Sequence, residues 1–90
     1  MATMKQRIEA RLTAALAPQS LLVVDESHLH AGHGGAREGG ETHFRVTVVA
    51  AAFAGRSRLE RHRMVNEALA AELAERVHAL AIKASAPGEG

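Results

Sequence analysis

Six histidines and no cysteine mark this 90-residue chain, and three of the histidines fall within Ser27-His28-Leu29-His30-Ala31-Gly32-His33. A neutral imidazole nitrogen is a good ligand for borderline metals such as zinc or copper, so one loop with this spacing can deliver several donors. The spacing alone is weakly selective. A structural site takes four well-placed donors, and a solvated polar loop that binds nothing fits the same residues. His78 is far along the chain and reaches the loop only through the tertiary fold. Its competing reading is a histidine on the Leu80 and Ile82 face, hydrogen-bonded at a sheet end. Without a thiol the chain makes no disulfide and supplies no thiolate, so any soft metal centre on it borrows sulfur from elsewhere.

Arg56, Arg58, Arg61 and Arg63 place four arginines in eight residues around His62, a pattern that suits contact with phosphates. Glu60, Glu67 and Glu72 dilute it. The same arginines can form helix-surface pairs, Arg63 with Glu67 for example, while His62 sits three residues before Val65, near a buried stripe. Asp25, Glu26, Ser27 and His28 include the residue types of a hydrolytic triad, but successive strand residues point to opposite faces and cannot form the relay. The glycines after His30 lack the G-x-x-x-x-G-K pattern of a phosphate-binding loop and are not followed by a helix. These exclusions leave metal ligation and binding as the candidate chemistries.

The elements that must position these residues follow from periodicity. Thr3 and Gln6 form a capping-box pattern, and Met4, Ile8, Leu12 and Leu16 recur at helical spacing before Pro18, which predicts an amphipathic helix over Thr3 to Ala17. Leu21 to Ser27 reads as a short strand, and His28 to Gly40, with five glycines, as a loop. A second strand is expected over Thr42 to Ala51, with Phe44, Val46 and Val48 on one face and Arg45, Thr47 and Val49 on the other. It should pair antiparallel with the first. Ser57 and Glu60 repeat the capping box and open a helix expected to run to Glu75, with Val65, Leu69 and Leu73 inward; a short extra turn fits Phe53 to Ser57. The last strand, Val77 to Ala84, follows that helix. A strand-helix-strand unit of this length favours a right-handed crossover, so the second and third strands should run parallel. The pattern is αββαβ, with both helices on one face of a three-stranded mixed sheet.

Composition limits the rest. Apolar residues make up 47% of the chain, but 19 residues are alanine, so one modest core is expected and no large buried cavity. One domain spans 1–90, ordered over about 3–84, with the tail 85–90 flexible. Phe44 and Phe53 are the only aromatic residues among Phe, Trp and Tyr, and the net charge is +1, which removes both the stacking surface and the bulk electrostatics of most nucleic-acid binders. No apolar run approaches the length of a membrane span, and Lys5, Arg7 and Glu9 interrupt the hydrophobic stretch a signal peptide requires. No membrane partner is expected, and a cytoplasmic location is the simplest reading.

Several segments in order carry a more specific signal: Val24-Asp25-Glu26-Ser27, a loop histidine, Gly40-Glu41-Thr42-His43-Phe44, Phe53-Ala54-Gly55-Arg56-Ser57, Arg61-His62-Arg63 and Val77-His78-Ala79-Leu80. Together they resemble the BolA-like proteins over Ile8 to about Pro87. The resemblance implies an α+β, αββααβ fold similar to class II KH domains. It also implies a non-enzymatic partner of a monothiol glutaredoxin, with a 2Fe-2S cluster shared between the two proteins and glutathione. By the same resemblance the ligands from this chain are His78 and a loop histidine, with His30 the best positional match and His33 its rival. Glutaredoxin and glutathione would supply the sulfur, and no cluster is expected on the isolated chain. Imidazole in place of thiolate at one iron is known to raise a cluster's potential. Roles in cluster trafficking, iron homeostasis or stress response follow as expectations. The alternative is a transcriptional regulator binding DNA through the KH-like surface, with Arg56, Arg58, Arg61 and Arg63 as the contacts. Gly55 lacks the second glycine of a G-x-x-G clamp. Homodimer formation is left open.

Overall fold

The computed structural model describes residues 3–26 and 43–89, so His28, His30 and His33 lie outside the described residues. The elements in order are α1 (Met4–Leu16), β1 (Ser20–Asp25), β2 (His43–Val49), a 3-10 turn (Ala51–Phe53), α2 (Arg58–Ala68), α3 (Ala70–Glu75) and β3 (Ala79–Ser85). This is the αββααβ order that the resemblance implied, with an added turn.

Both capping boxes form. The Thr3 hydroxyl accepts from the Gln6 N–H and the Gln6 side chain accepts from the Thr3 N–H, and Ser57 and Glu60 repeat the arrangement at α2. The Glu60 carboxyl is held below its ordinary range, chiefly by the Ser57 backbone N–H. Helix α1 closes at Ala17, whose left-handed backbone (φ 45°) turns the chain toward Pro18 and β1.

The sheet order is β1-β2-β3, with β1 antiparallel and β3 parallel to β2. The register aligns Val23 with Val46 and Val46 with Ile82, so the inward side chains form one row across the sheet. Val23, Phe44, Val46 and Val48 join Met4, Ile8, Leu12 and Leu16 of α1 and Val65 and Leu69 of the later helices in one buried cluster. The helices therefore cover one face, and the other carries Arg45 and the 59% exposed Leu22.

Two expectations from periodicity are corrected. The single helix over Ser57 to Glu75 is two helices, divided at Leu69, whose backbone (φ −104°, ψ 17°) leaves the helical region while its side chain is buried. The bend turns α3 toward α1, so Glu72, taken from sequence as a surface acid, is fully buried and Leu73 only half-buried. Arg7 and Arg11 of α1 meet Glu72 at 2.9 and 3.4 Å, which is how a carboxylate is accommodated there. The second correction concerns strand limits. β1 closes at Asp25, short of the expected Ser27, and β3 starts at Ala79 rather than Val77 and runs through Ser85. Beyond β3, where the composition suggested a flexible tail, Ala86 is buried and Glu89 is bonded to Arg61.

Candidate functional site

Parallel pairing brings two histidines to one end of the sheet. His43 opens β2 and pairs with Ala79, the first residue of β3, so His78 stands one residue ahead of that pair. The two imidazole centroids are 6.4 Å apart with the rings tilted by 31°. β1 finishes at the same end, where the Glu26 N–H donates to the His43 carbonyl at 2.8 Å and Arg45 Nε donates to the Glu26 carboxylate at 3.1 Å. The segment that carries His28, His30 and His33 thus departs after Glu26 and rejoins at His43, beside His78.

The side chain of His78 is exposed, but its backbone is held on both sides. Val77, immediately before it, is buried, and the N–H groups of Arg76 and Val77 both donate to the Glu72 carbonyl, at 3.0 and 3.1 Å. Ala79, immediately after it, is fixed by the β2–β3 register. The alternation that would have set His78 on the Leu80 and Ile82 face does not reach it, because the strand begins one residue later. The result is a solvent-facing imidazole on a well-anchored piece of backbone.

The anchor extends into the helices. Glu72 turns its side chain to Arg7, which also forks onto Glu75 at 2.7 and 2.9 Å. Hydrogen bonding from Arg7 holds the Glu75 carboxyl below its ordinary range and raises the Arg7 guanidinium in turn. The second Glu72 oxygen, Oε1, is buried with no hydrogen-bond partner among the described residues.

The arginine cluster occupies a different place. Arg56, Arg58, Arg61 and His62 line a cleft of about 440 Å³ together with Lys83 and Glu89, whereas Arg63 is exposed and outside it. The expected Arg63–Glu67 pair is not formed; Arg56 and Glu60 make the i,i+4 contact instead, at 3.7 Å. Sequence reasoning missed three residues here. His43 was legible in principle, since two histidines at the starts of two parallel strands must be neighbours. Glu72 had a weaker signal, its position three residues after Leu69. Glu89 had none, being 28 residues from the arginine it meets.

The BolA-like protein family model matches residues 12–89. The chain belongs to that family. It is 47% identical to a Sinorhizobium protein of the cobS 5′ region, covering 97% of this chain and 95% of that one. It is 51% identical to BolA-like protein 1 of Mus musculus, covering 91% of this chain and 57% of the mouse protein, so it spans little more than half of that relative. Among solved structures, the BolA domain of SufE1 from Arabidopsis thaliana superposes with a TM-score of 0.88 at 40% identity, over 100% of this chain and 99% of that one. The three-stranded mixed sheet with its helices is thus the fold of this family, as the ordered motifs implied.

Proposed function

We propose that this BolA-like chain is a non-enzymatic adaptor that shares a 2Fe-2S cluster with a monothiol glutaredoxin and glutathione. His78 and His30 are the imidazole ligands in this reading, with His33 the rival for the loop position. The observation that carries it is the exposed His78 on anchored backbone at the sheet end where the histidine-bearing segment departs and returns.

The donor chemistry fits. Iron–sulfur clusters are ordinarily held by thiolates, and a chain without cysteine can give only nitrogen, so the sulfur ligands must belong to the partner and to glutathione. When bound, the cluster supplies one-electron redox chemistry and a transferable iron and sulfide unit. The part played by this chain is to hold a neutral imidazole at a fixed point, through buried Val77 on one side and the β3 register on the other. The fold also occurs as a domain of SufE1, while the Sinorhizobium relative is matched over 95% of its own length, and a module used in both settings suits an adaptor.

Anaerobic mixing of the chain with a monothiol glutaredoxin, glutathione, iron and sulfide tests the reading. Visible absorbance of a cluster is expected in the full mixture, with a spectrum distinct from that of glutaredoxin alone. The chain alone is expected to retain no stoichiometric iron and sulfide, since it offers imidazoles and no thiolate. A stable cluster on the isolated chain, or a mixture with the spectrum of glutaredoxin alone, would overturn it.

A further inference from the structure

The cleft beside β3 is separate from the histidine end of the sheet, and its chemistry is different. Its walls carry Arg56, Arg58, Arg61 and Lys83, with His62 between the arginines. Two of these cations are matched, Arg56 by Glu60 and Arg61 by Glu89, while Arg58 and Lys83 make no ion pair among the described residues. Glu89 enters this cationic space from the segment after β3 and forks onto Arg61, with oxygen-to-nitrogen distances of 2.6 and 2.8 Å.

Arg61 does not need Glu89 to stay in place. Its Nε donates to the Arg56 carbonyl at 3.0 Å and one terminal nitrogen donates to the Ala84 carbonyl at 3.2 Å, and neither acceptor belongs to the segment that carries Glu89. Removal of the carboxylate would leave an oriented guanidinium with its outer edge open, beside two further cations. A planar fork aimed at an oxyanion, supported by point charges, is the arrangement that binds phosphate.

We propose that this cleft is a binding site for a chain of phosphate groups and that Glu89 is its internal competitor, an acidic stand-in that closes the site until a phosphate-bearing ligand displaces it. The clamp is well made. Arg61, with help from the Ala86 N–H, pulls the Glu89 carboxyl down to about 2, so it remains an anion throughout the neutral range. Yet Glu89 is 43% exposed on its side chain, so an incoming anion can reach the clamp, and its displacement gives up the Ala86 N–H bond along with the Arg61 fork. Because the cleft and the histidine end share no residue, the proposal stands or falls apart from the cluster reading.

The test titrates inorganic tripolyphosphate, and in a second arm a short thymidine oligonucleotide, into the full chain at low salt, with calorimetry and backbone amide shifts as readouts. Glu89→Gln should raise the affinity by about fivefold or more, the low end of ordinary coupling between competing sites. Adding Arg58→Ala and Lys83→Ala to Glu89→Gln should reverse the gain while leaving the Arg61 bonds to the Arg56 and Ala84 carbonyls in place. A stronger response to tripolyphosphate identifies a free oligophosphate as the source, and a stronger response to the oligonucleotide identifies a strand backbone; either upholds the displacement. Thermal melting of Glu89→Gln guards against a folding artefact, since bound phosphate should raise its melting temperature more than that of the parent chain. Equal affinity of the parent chain and Glu89→Gln for both probes, or shifts confined to residues away from the cleft and the 86–89 segment, would overturn the proposal.

Discussion

The two ends of the sheet are finished in opposite ways. At the far end every chain crossing is tied by backbone and charge: Gln19 N–H to the Val49 carbonyl at 2.7 Å, Ala50 N–H to the Ser85 carbonyl at 3.0 Å, and Arg61 joining the Ala84 carbonyl to the Glu89 carboxylate. At the near end the backbone is equally well fixed, through Glu26 and Val77, but the side chain of His78 faces solvent. The contrast lies in what each end does with its polar side chains. Anchoring the backbone from beneath releases the side chain above it, whereas at the far end the Arg61 and Glu89 side chains are spent on adding a clamp to the backbone ties.

The comparison can be broken most forcefully from inside. Phe44 is buried, sits one residue after His43 and aligns with both Asp25 and Leu80, so it underlies the near end. Phe44→Ala should cost about 3 to 5 kcal/mol of unfolding free energy, measured by denaturant titration. A loss below about 1 kcal/mol would mean that the histidine end does not rest on the core.

A smaller loss is expected from Glu72→Ala, which removes the carboxylate joining α3 to α1 just ahead of Val77 and His78. The Arg7 partner keeps contact with water, so the change should lower the melting temperature by less than Phe44→Ala does. An unchanged melting temperature would show that the α1–α3 ion pairs do not hold the turn into β3.

The far end should reveal itself in acid. The folded-state value of Glu89 is depressed from 4.5 to about 2, so its clamp contributes stability that is present above about 4.5 and is lost as pH falls toward 2. The parent chain should therefore lose more stability across that window than Glu89→Gln, by thermal melting at several pH values. Parallel pH profiles would contradict the clamp. The smallest effect belongs to Arg63→Ala, which should stay within about 0.5 kcal/mol of the parent because Arg63 is exposed and outside both the cleft and the ion pairs.

Much of this architecture was legible in the residues. Both capping boxes, the antiparallel and parallel pairings and the inward row Phe44, Val46 and Val48 follow from local chemistry and two simple periods. The helix break at Leu69 was not legible from periodicity, because Val65, Leu69 and Leu73 keep helical spacing across it and the turn is imposed by packing against α1. The burial of Glu72 hid for the same reason: its partners Arg7 and Arg11 lie more than sixty positions away. The placement of His78 beside the start of β2 followed from the parallel register alone. The neighbouring His43 was visible in the same register but was read only as part of a motif.

The claim that His78 is the anchored ligand meets its most direct test in the visible circular dichroism of the reconstituted mixture with glutaredoxin and glutathione, compared between the parent chain and His78→Ala. His78 is exposed, so the variant should melt with the parent chain, yet the cluster spectrum should lose the features that distinguish the shared complex from glutaredoxin alone. His30→Ala and His33→Ala, measured alongside, assign the loop partner: both should give smaller defects than His78→Ala, because a neighbouring histidine of the segment can replace a lost one, and His30→Ala is expected to show the larger of the two. A His78→Ala protein that folds normally and gives the parent spectrum with the parent cluster lifetime would contradict the account.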